Sequence, residues 1–268
     1  STNFTFYVDS KKPGVELNSP VDVFNTTNTT INFTYTASDN LDTGLVCNLT
    51  LDGRVNKSFS ESLNSTVANF TVSGLAEGVH LWNVTCVDNA SNVNTSSTRS
   101  LTVDNTNPKI SLNVPANSSW QQSAGVDFKY TIYDSNPVNC TLYGNFNGTW
   151  LSNASNNSIF DGMQINNTII MGNGNNSYVW NALCYDTAGN SAFNSTNFTF
   201  YVDSKKPGVE LNDPVDVFNT TNTTINFTYT ASDNLDTGLV CNLTLDGVVN
   251  KTLIESLNST VANFTVFG

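Results

Sequence analysis

Leu81-Trp82-Asn83-Val84-Thr85-Cys86-Val87-Asp88 alternates apolar and polar residues with a period of two. An extended chain with that period sets Trp82, Val84 and Cys86 on one face and Asn83 and Thr85 on the other. Upstream, Cys47 likewise shares a face with Leu45, Leu49 and Leu51. Both thiols point inward, and cross-linking them closes a loop of roughly 40 residues, worth about 4 kcal/mol in the chain-entropy model.

The octet recurs as Val179-Trp180-Asn181-Ala182-Leu183-Cys184-Tyr185-Asp186. Val8-Asp9-Ser10-Lys11-Lys12-Pro13 recurs as Val103-Asp104-Asn105-Thr106-Asn107-Pro108. Units of about 95 residues follow, which is the size of one immunoglobulin-like β-sandwich. A larger period is almost perfect: residues 1–74 return as 195–268 with six substitutions, Ser19/Asp213, Arg54/Val248, Ser58/Thr252, Phe59/Leu253, Ser60/Ile254 and Ser73/Phe267. Such self-similarity is the signature of an array. The expected organisation is all-β, as tandem immunoglobulin-like β-sandwich domains. Residues 1–9 are the last strand of a preceding domain, 10–104 a domain of type A, 105–203 one of type B, and 204–268 a type A domain without its last two strands.

Strands are expected near Val15–Leu17, Thr30–Ala37, Leu45–Leu51, Val67–Val72, His80–Val87 and Arg99–Val103, with Thr2–Val8 as the orphan, because alternating runs are bounded there by Asn, Asp, Gly and Pro. Cys47 is expected to pair with Cys86, and Cys140 with Cys184, on the third and sixth strands of the fold, which neighbour each other within one sheet. Cys241 is Cys47 displaced by 194, and its partner is expected at position 280. Paired cysteines imply an oxidising compartment.

Asparagine carries the strongest functional signal. Asn-X-Ser/Thr occurs 27 times, where 43 asparagines among 63 Ser and Thr would give about 10 by shuffling. The expected glycan acceptors are Asn3, Asn25, Asn28, Asn32, Asn48, Asn56, Asn64, Asn69, Asn83, Asn89 and Asn94 in the first stretch. Asn117, Asn139, Asn147, Asn153, Asn156, Asn166, Asn175, Asn194 and Asn197 follow, then Asn219, Asn222, Asn226, Asn242, Asn250, Asn258 and Asn263. In Asn32-Phe33-Thr34, Asn48-Leu49-Thr50, Asn69-Phe70-Thr71, Asn83-Val84-Thr85 and Asn197-Phe198-Thr199 the middle residue is apolar. On a strand it enters the core while Asn and Thr face solvent, where a glycan disturbs no packing. Asn and Thr on that face also simply make it soluble without charge.

The 268 residues carry 22 acidic against 10 basic side chains, a net charge of -12, which repels nucleic acid. No apolar run approaches a membrane span. A single histidine, His80, leaves no material for repeated triads or histidine metal sites. No enzyme is expected, and no cofactor beyond covalent N-glycans and calcium. Trp120 and Trp150 offer a sugar-stacking platform, but Trp120 aligns roughly with Phe24 and Trp82 with Trp180, which favours the core. Calcium is suggested where linkers meet loops: Asp9 with Asp39, Asp42 and Asp88 at one junction, Asp104 with Asp134 and Asp186 at the next. Lys11 and Lys12 crowd the first of these.

The linker Val103-Asp104-Asn105-Thr106-Asn107-Pro108 and the turn Asp186-Thr187-Ala188-Gly189-Asn190 resemble the immunoglobulin-like repeats of prokaryotic surface proteins, and the sequon density with disulfides looks archaeal. In those families such domains are extenders. The resemblance implies an extracellular, cell-surface filament or stalk whose partners are copies of itself. An adhesin, a ligand-binding module and a surface-layer lattice are the alternatives.

Overall fold

The computed structural model describes residues 4–171 and 175–267, without the side chains of Phe59, Asn175, Asn176, Leu253 and Ile254. The sequon at Asn3, the side chain of Asn175 and the start of the Thr2–Val8 segment therefore lie outside what is described. All regular structure among these residues is β, in six sheets.

The first unit packs a sheet of β1 (Gly14–Ser19), β3 (Ile31–Ser38) and β6 (Val67–Val72) against a six-stranded one. The latter runs β2 (Phe24–Thr26), β9 (Arg99–Val103), β7 (Gly78–Val87), β4 (Gly44–Leu51) and β5 (Arg54–Leu63), with β8 (Val93–Thr95) on β7. Along β3 the residues Ile31, Phe33, Tyr35 and Ala37 are buried, and along β4 Leu45, Cys47, Leu49 and Leu51. Trp82, Val84 and Cys86 of β7 complete the core from the second sheet.

The second unit repeats this plan. β10 (Lys109–Val114), β12 (Gly125–Tyr133) and β15 (Gln164–Ile170) form one sheet. β11 (Ser119–Gln121), β18 (Phe198–Asp203), β16 (Asn175–Asp186), β13 (Pro137–Gly144) and β14 (Leu151–Asn156) form the other, with β17 (Ser191–Phe193) on β16. Its core centres on Phe128, Trp180 and Phe200. The third unit has β19 (Gly208–Asp213), β20 (Thr224–Ser232) and β23 (Val261–Phe267) facing a hairpin of β21 (Gly238–Leu245) and β22 (Val248–Leu257).

Three expectations are corrected. Residues 4–8 form no strand: Phe4 is 92% exposed and Phe6 84%. Their copy, 198–202, lies in β18 between β16 and β11, whereas residues 4–8 find no such neighbours to complete their hydrogen bonds. Trp120 is not in the core but 52% exposed, stacked on Tyr201 at 4.7 Å. Phe24 pairs with Leu101, while Trp120 pairs with Tyr201 and Ser119 with Phe200; this one-residue slip turns the indole to the other face. Thirdly, β2, β5 and β8 join the expected strands. β5, Arg-Val-Asn-Lys-Ser-Phe-Ser-Glu-Ser-Leu, lies at the edge of its sheet with little to bury and carries no clean alternation. It is nevertheless held to β4 by the Asp52-Gly53 turn, whose two left-handed residues (φ 51° and 74°) match the twist of a hairpin.

Candidate functional site

At each junction stands an aspartate, Asp9 after an irregular segment, Asp104 just past β9 and Asp203 at the end of β18. The chain turns there because that carboxylate caps the backbone two residues on. Asp9 Oδ1 accepts from Lys11 N, Asp104 Oδ1 from Thr106 N and Asp203 Oδ1 from Lys205 N, each at 3.0 Å. The loop after β3 or its counterpart uses the same device. Asp39 Oδ1 accepts from Leu41 N and Asp42 N, Asp134 Oδ1 from Asn136 N, and Asp233 Oδ1 from Leu235 N and Asp236 N. The turn after β7 or β16 ties the linker down, with Asn92 Nδ2 donating to Asp9 O at 3.2 Å and Asn190 Nδ2 to Asp104 O at 2.9 Å.

These local turns converge on carboxylates. Asp9, Asp39 and Asp42 each offer an oxygen within 4.8 Å of the others, as do Asp104, Asp134 and Asp186. A third set, Asp203, Asp233 and Asp236, was not among the sequence-derived candidates, although adding 194 to the first set gives its numbers. Asp88 is absent from these sets; Asn92 donates both its backbone and side-chain N–H to it at 2.7 Å, as Asn190 does to Asp186, which does join a set. Asp9 Oδ2 and Asp39 Oδ2 are buried and receive no hydrogen bond.

Electrostatics differ between junctions. Burial, together with the carboxylates of Asp186, Asp104 and Asp161, pushes Asp134 above its ordinary value, against the Asn136 N–H that lowers it. Lys11 lies near enough to Asp39 to help hold it low, after the larger effect of the Leu41 N–H. In the second linker Asn105-Thr106-Asn107 replaces Ser10-Lys11-Lys12. Hard carboxylate oxygens suit a divalent cation such as calcium, and in the first set two of them are buried and bare. Asp9, Asp39 and Asp42 would hold it in the first set, Asp104, Asp134 and Asp186 in the second.

Cys47 bridges Cys86 and Cys140 bridges Cys184, each pair directly opposite across neighbouring antiparallel strands. Cys241 is free and half-buried. His80 is occupied on both sides, by Asp52 Oδ2 at 2.7 Å and Ala76 O at 2.9 Å, so it braces the start of β7 against the Asp52 turn.

Four of the five strand sequons bury their middle residue as expected, whereas at the fifth Asn197 lies just before β18 and Phe198 is only half-buried. Phe33, Leu49, Phe70 and Val84 are buried while Asn32 and Asn69 are exposed and Asn48 and Asn83 half-exposed. Asn69 Nδ2 donates to Asn32 Oδ1 at 2.8 Å, and Asn263 to Asn226 likewise. Trp150, 39% exposed, stacks on Tyr143 at 6.2 Å, and Tyr143 meets Phe193 edge-on at 5.2 Å.

No family model matches the chain, and no curated protein does. Solved structures do. The chain is similar to fibronectin(III)-like modules of Clostridium thermocellum CbhA, with 12% identity over 70% of this chain and 94% of that one, at a TM-score of 0.39. A second likeness is to a 1.5-MDa bacterial ice-binding adhesin, with 15% identity over 97% and 88% and a TM-score of 0.44. A third is to a tetra-tandem repeat in the extending region of a large adhesion protein, at 16% identity, 96% and 62% coverage, and 0.38.

Proposed function

We propose that this chain is a run of units from an extracellular, N-glycosylated array, a stalk or filament at a prokaryotic and more specifically archaeal cell surface, whose work is spacing and display. One observation carries the reading: 74 residues recur with six substitutions, and with them recur part of the core, the Asp-Gly hairpin turn and the junction carboxylates. A filament needs the same contact repeated, whereas a receptor diversifies its units. Electron microscopy of native material is the test. Thin threads or stalks are the expected result, a two-dimensional lattice would select a surface layer instead, and dispersed compact particles would overturn the proposal.

Calcium at the junctions belongs to the same proposal, supported by the carboxylate sets and the two unpartnered buried oxygens of Asp9 and Asp39. Chelation should lower the melting temperature and loosen the junctions; a chain indifferent to chelation has no structural ion there. An adhesin is the second reading, favoured by the outward Tyr143, Trp150 and Phe193 cluster. Glycan-array binding that is lost in Trp150→Ala would select it.

A further inference from the structure

Among the sequons, Asn64 and its copy Asn258 are held differently from the rest. Asn64 lies in the turn between β5 and β6, half-buried, and its Nδ2 donates to Asp39 O at 2.7 Å and to Asp42 O at 2.6 Å. Its Oδ1 accepts from Asp39 N at 3.1 Å and from Ser65 Oγ at 2.8 Å. The opposite amide orientation would set oxygen against two carbonyls, so the partners fix the assignment. Asn258 repeats the arrangement, with Nδ2 2.6 Å from both Asp233 O and Asp236 O and Oδ1 accepting from Asp233 N at 3.1 Å. Three other sequon amides hold less: Asn69, Asn83 and Asn94 each donate once, to Asn32, Thr98 and Pro13. Asn153 donates twice, at 2.7 and 3.3 Å, and Asn263 twice, at 2.8 Å to Asn226 and 3.4 Å to Thr265, in both cases from an exposed side chain.

We infer that Asn64 and Asn258 carry no glycan in the folded protein and act as brackets that hold the acidic loops 39–42 and 233–236. The inference rests on the proposed N-glycosylation of the array. Glycan transfer from a glycosyl phosphate donor forms a bond between the sugar's anomeric carbon and Nδ2, breaks the bond from that carbon to the phosphate oxygen, and releases one amide proton. A glycosylated Nδ2 keeps one N–H, so one of the two loop carbonyls loses its donor, and the sugar must enter the space that carbonyl occupies. Glycan and bracket exclude each other.

The second unit supports this independently. Gly162 N donates to Ile132 O at 2.8 Å as Ser65 N does to Ala37 O, which makes Asp161 the counterpart of Asn64. Asp161 Oδ1 accepts from Asp134 N at 3.0 Å, as Asn64 Oδ1 does from Asp39 N. The position therefore serves the loop in a unit where it is not a sequon at all. The residue after it is left-handed in all three units, Ser65 at φ 59°, Gly162 at 74° and Ser259 at 58°.

Glycopeptide mass spectrometry of the native protein tests the inference site by site. Glycan is expected at Asn32, Asn48, Asn69 and Asn83, and none at Asn64 or Asn258, whose peptides differ at Phe59/Leu253 and Ser60/Ile254. Glycan at Asn64 or Asn258 overturns it. A synthetic peptide spanning residues 60–70, which has no loop to hold, should accept glycan from the native transferase; a peptide that stays bare traces the silence to its sequence and also overturns the inference. A chain bare at every sequon instead removes the glycosylation proposal, and the bracket is then read by substitution in the unglycosylated chain. Asn64→Asp should lower the first unit's melting temperature by about 5 °C while Asn32→Asp leaves it unchanged. Equal melting of the two variants overturns the bracket.

Discussion

Asp134 is where local charge works against the fold. Its carboxyl is raised by burial and by Asp186, Asp104 and Asp161, so ionising it costs more in the folded than in the unfolded chain. Stability associated with it is present below the ordinary value of 3.8 and is lost as pH rises through the raised one. Asp134→Asn should therefore stabilise the second unit in chelator at neutral pH, by about 2 °C given solvent screening, and reduce the gain in melting temperature on adding calcium. A variant that melts like the parent under both conditions refutes the cation proposal at that junction. His80 behaves oppositely. Burial lowers it, but the Ala76 carbonyl and Asp52 outweigh burial and raise it above 6.5, while Asp52 is lowered because His80 and the Leu81 N–H outweigh its own burial. The pair stabilises most between the ordinary values of 3.8 and 6.5, fading as pH rises through the raised His80 value or falls through the lowered Asp52 value. His80→Gln should flatten both arms of a plot of melting temperature against pH, by less than about 1 kcal/mol, since the Asp52 side chain is 49% exposed.

Strand identity depends on neighbours as well as on pattern. Phe-Thr-Phe-Tyr-Val-Asp occurs at 4–9 without regular structure and at 198–203 as β18, so six identical residues take two states according to whether strands flank them. Hydrogen exchange should show protected amides at 198–203 and immediate exchange at 4–9; similar protection would contradict the assignment. Period-two burial was legible because β3, β4 and β7 are covered on one face only, and the paired cysteines followed from it. β5 was not legible, since an edge strand with few buried residues needs no alternation. Trp120 was misplaced because alignment cannot see a one-residue register slip. The acid sets were partly legible, since an aspartate in a turn is ambiguous until the fold brings three together. Asp88 and Asp186 occupy matching positions, yet only Asp186 joins a set. Replacing Cys47 and Cys86 by Ala should cost the first unit about 2–5 kcal/mol, read from denaturant unfolding.

The three units have separate cores, and they are not equally closed. Leu17 is 5% exposed and its copy Leu211 81%; Cys47 is buried and Cys241 half-buried. Among the described residues the third unit has no counterpart of β7, and on that side lies a cleft of about 500 Å³ lined by residues including Val209, Leu211, Tyr229 and Phe264. Phe218–Thr220, the copy of β2, forms no strand, because no counterpart of β9 lies beside it. Calorimetry of this chain should resolve a lowest-melting transition that Tyr229→Ala moves and Tyr35→Ala does not.

A stalk of the kind proposed is judged by how far it stretches before it fails. The Cys47–Cys86 bridge welds β4 to β7, so a pull along the chain bypasses the stretch between them, a sequence separation of 39, even after the unit has come apart. At about 3.4 Å per extended residue that withholds roughly 130 Å of contour, and the separation of 44 in the second unit about 150 Å. Oxidised units would pay out little slack under drag, while reduced ones would unravel to their full length.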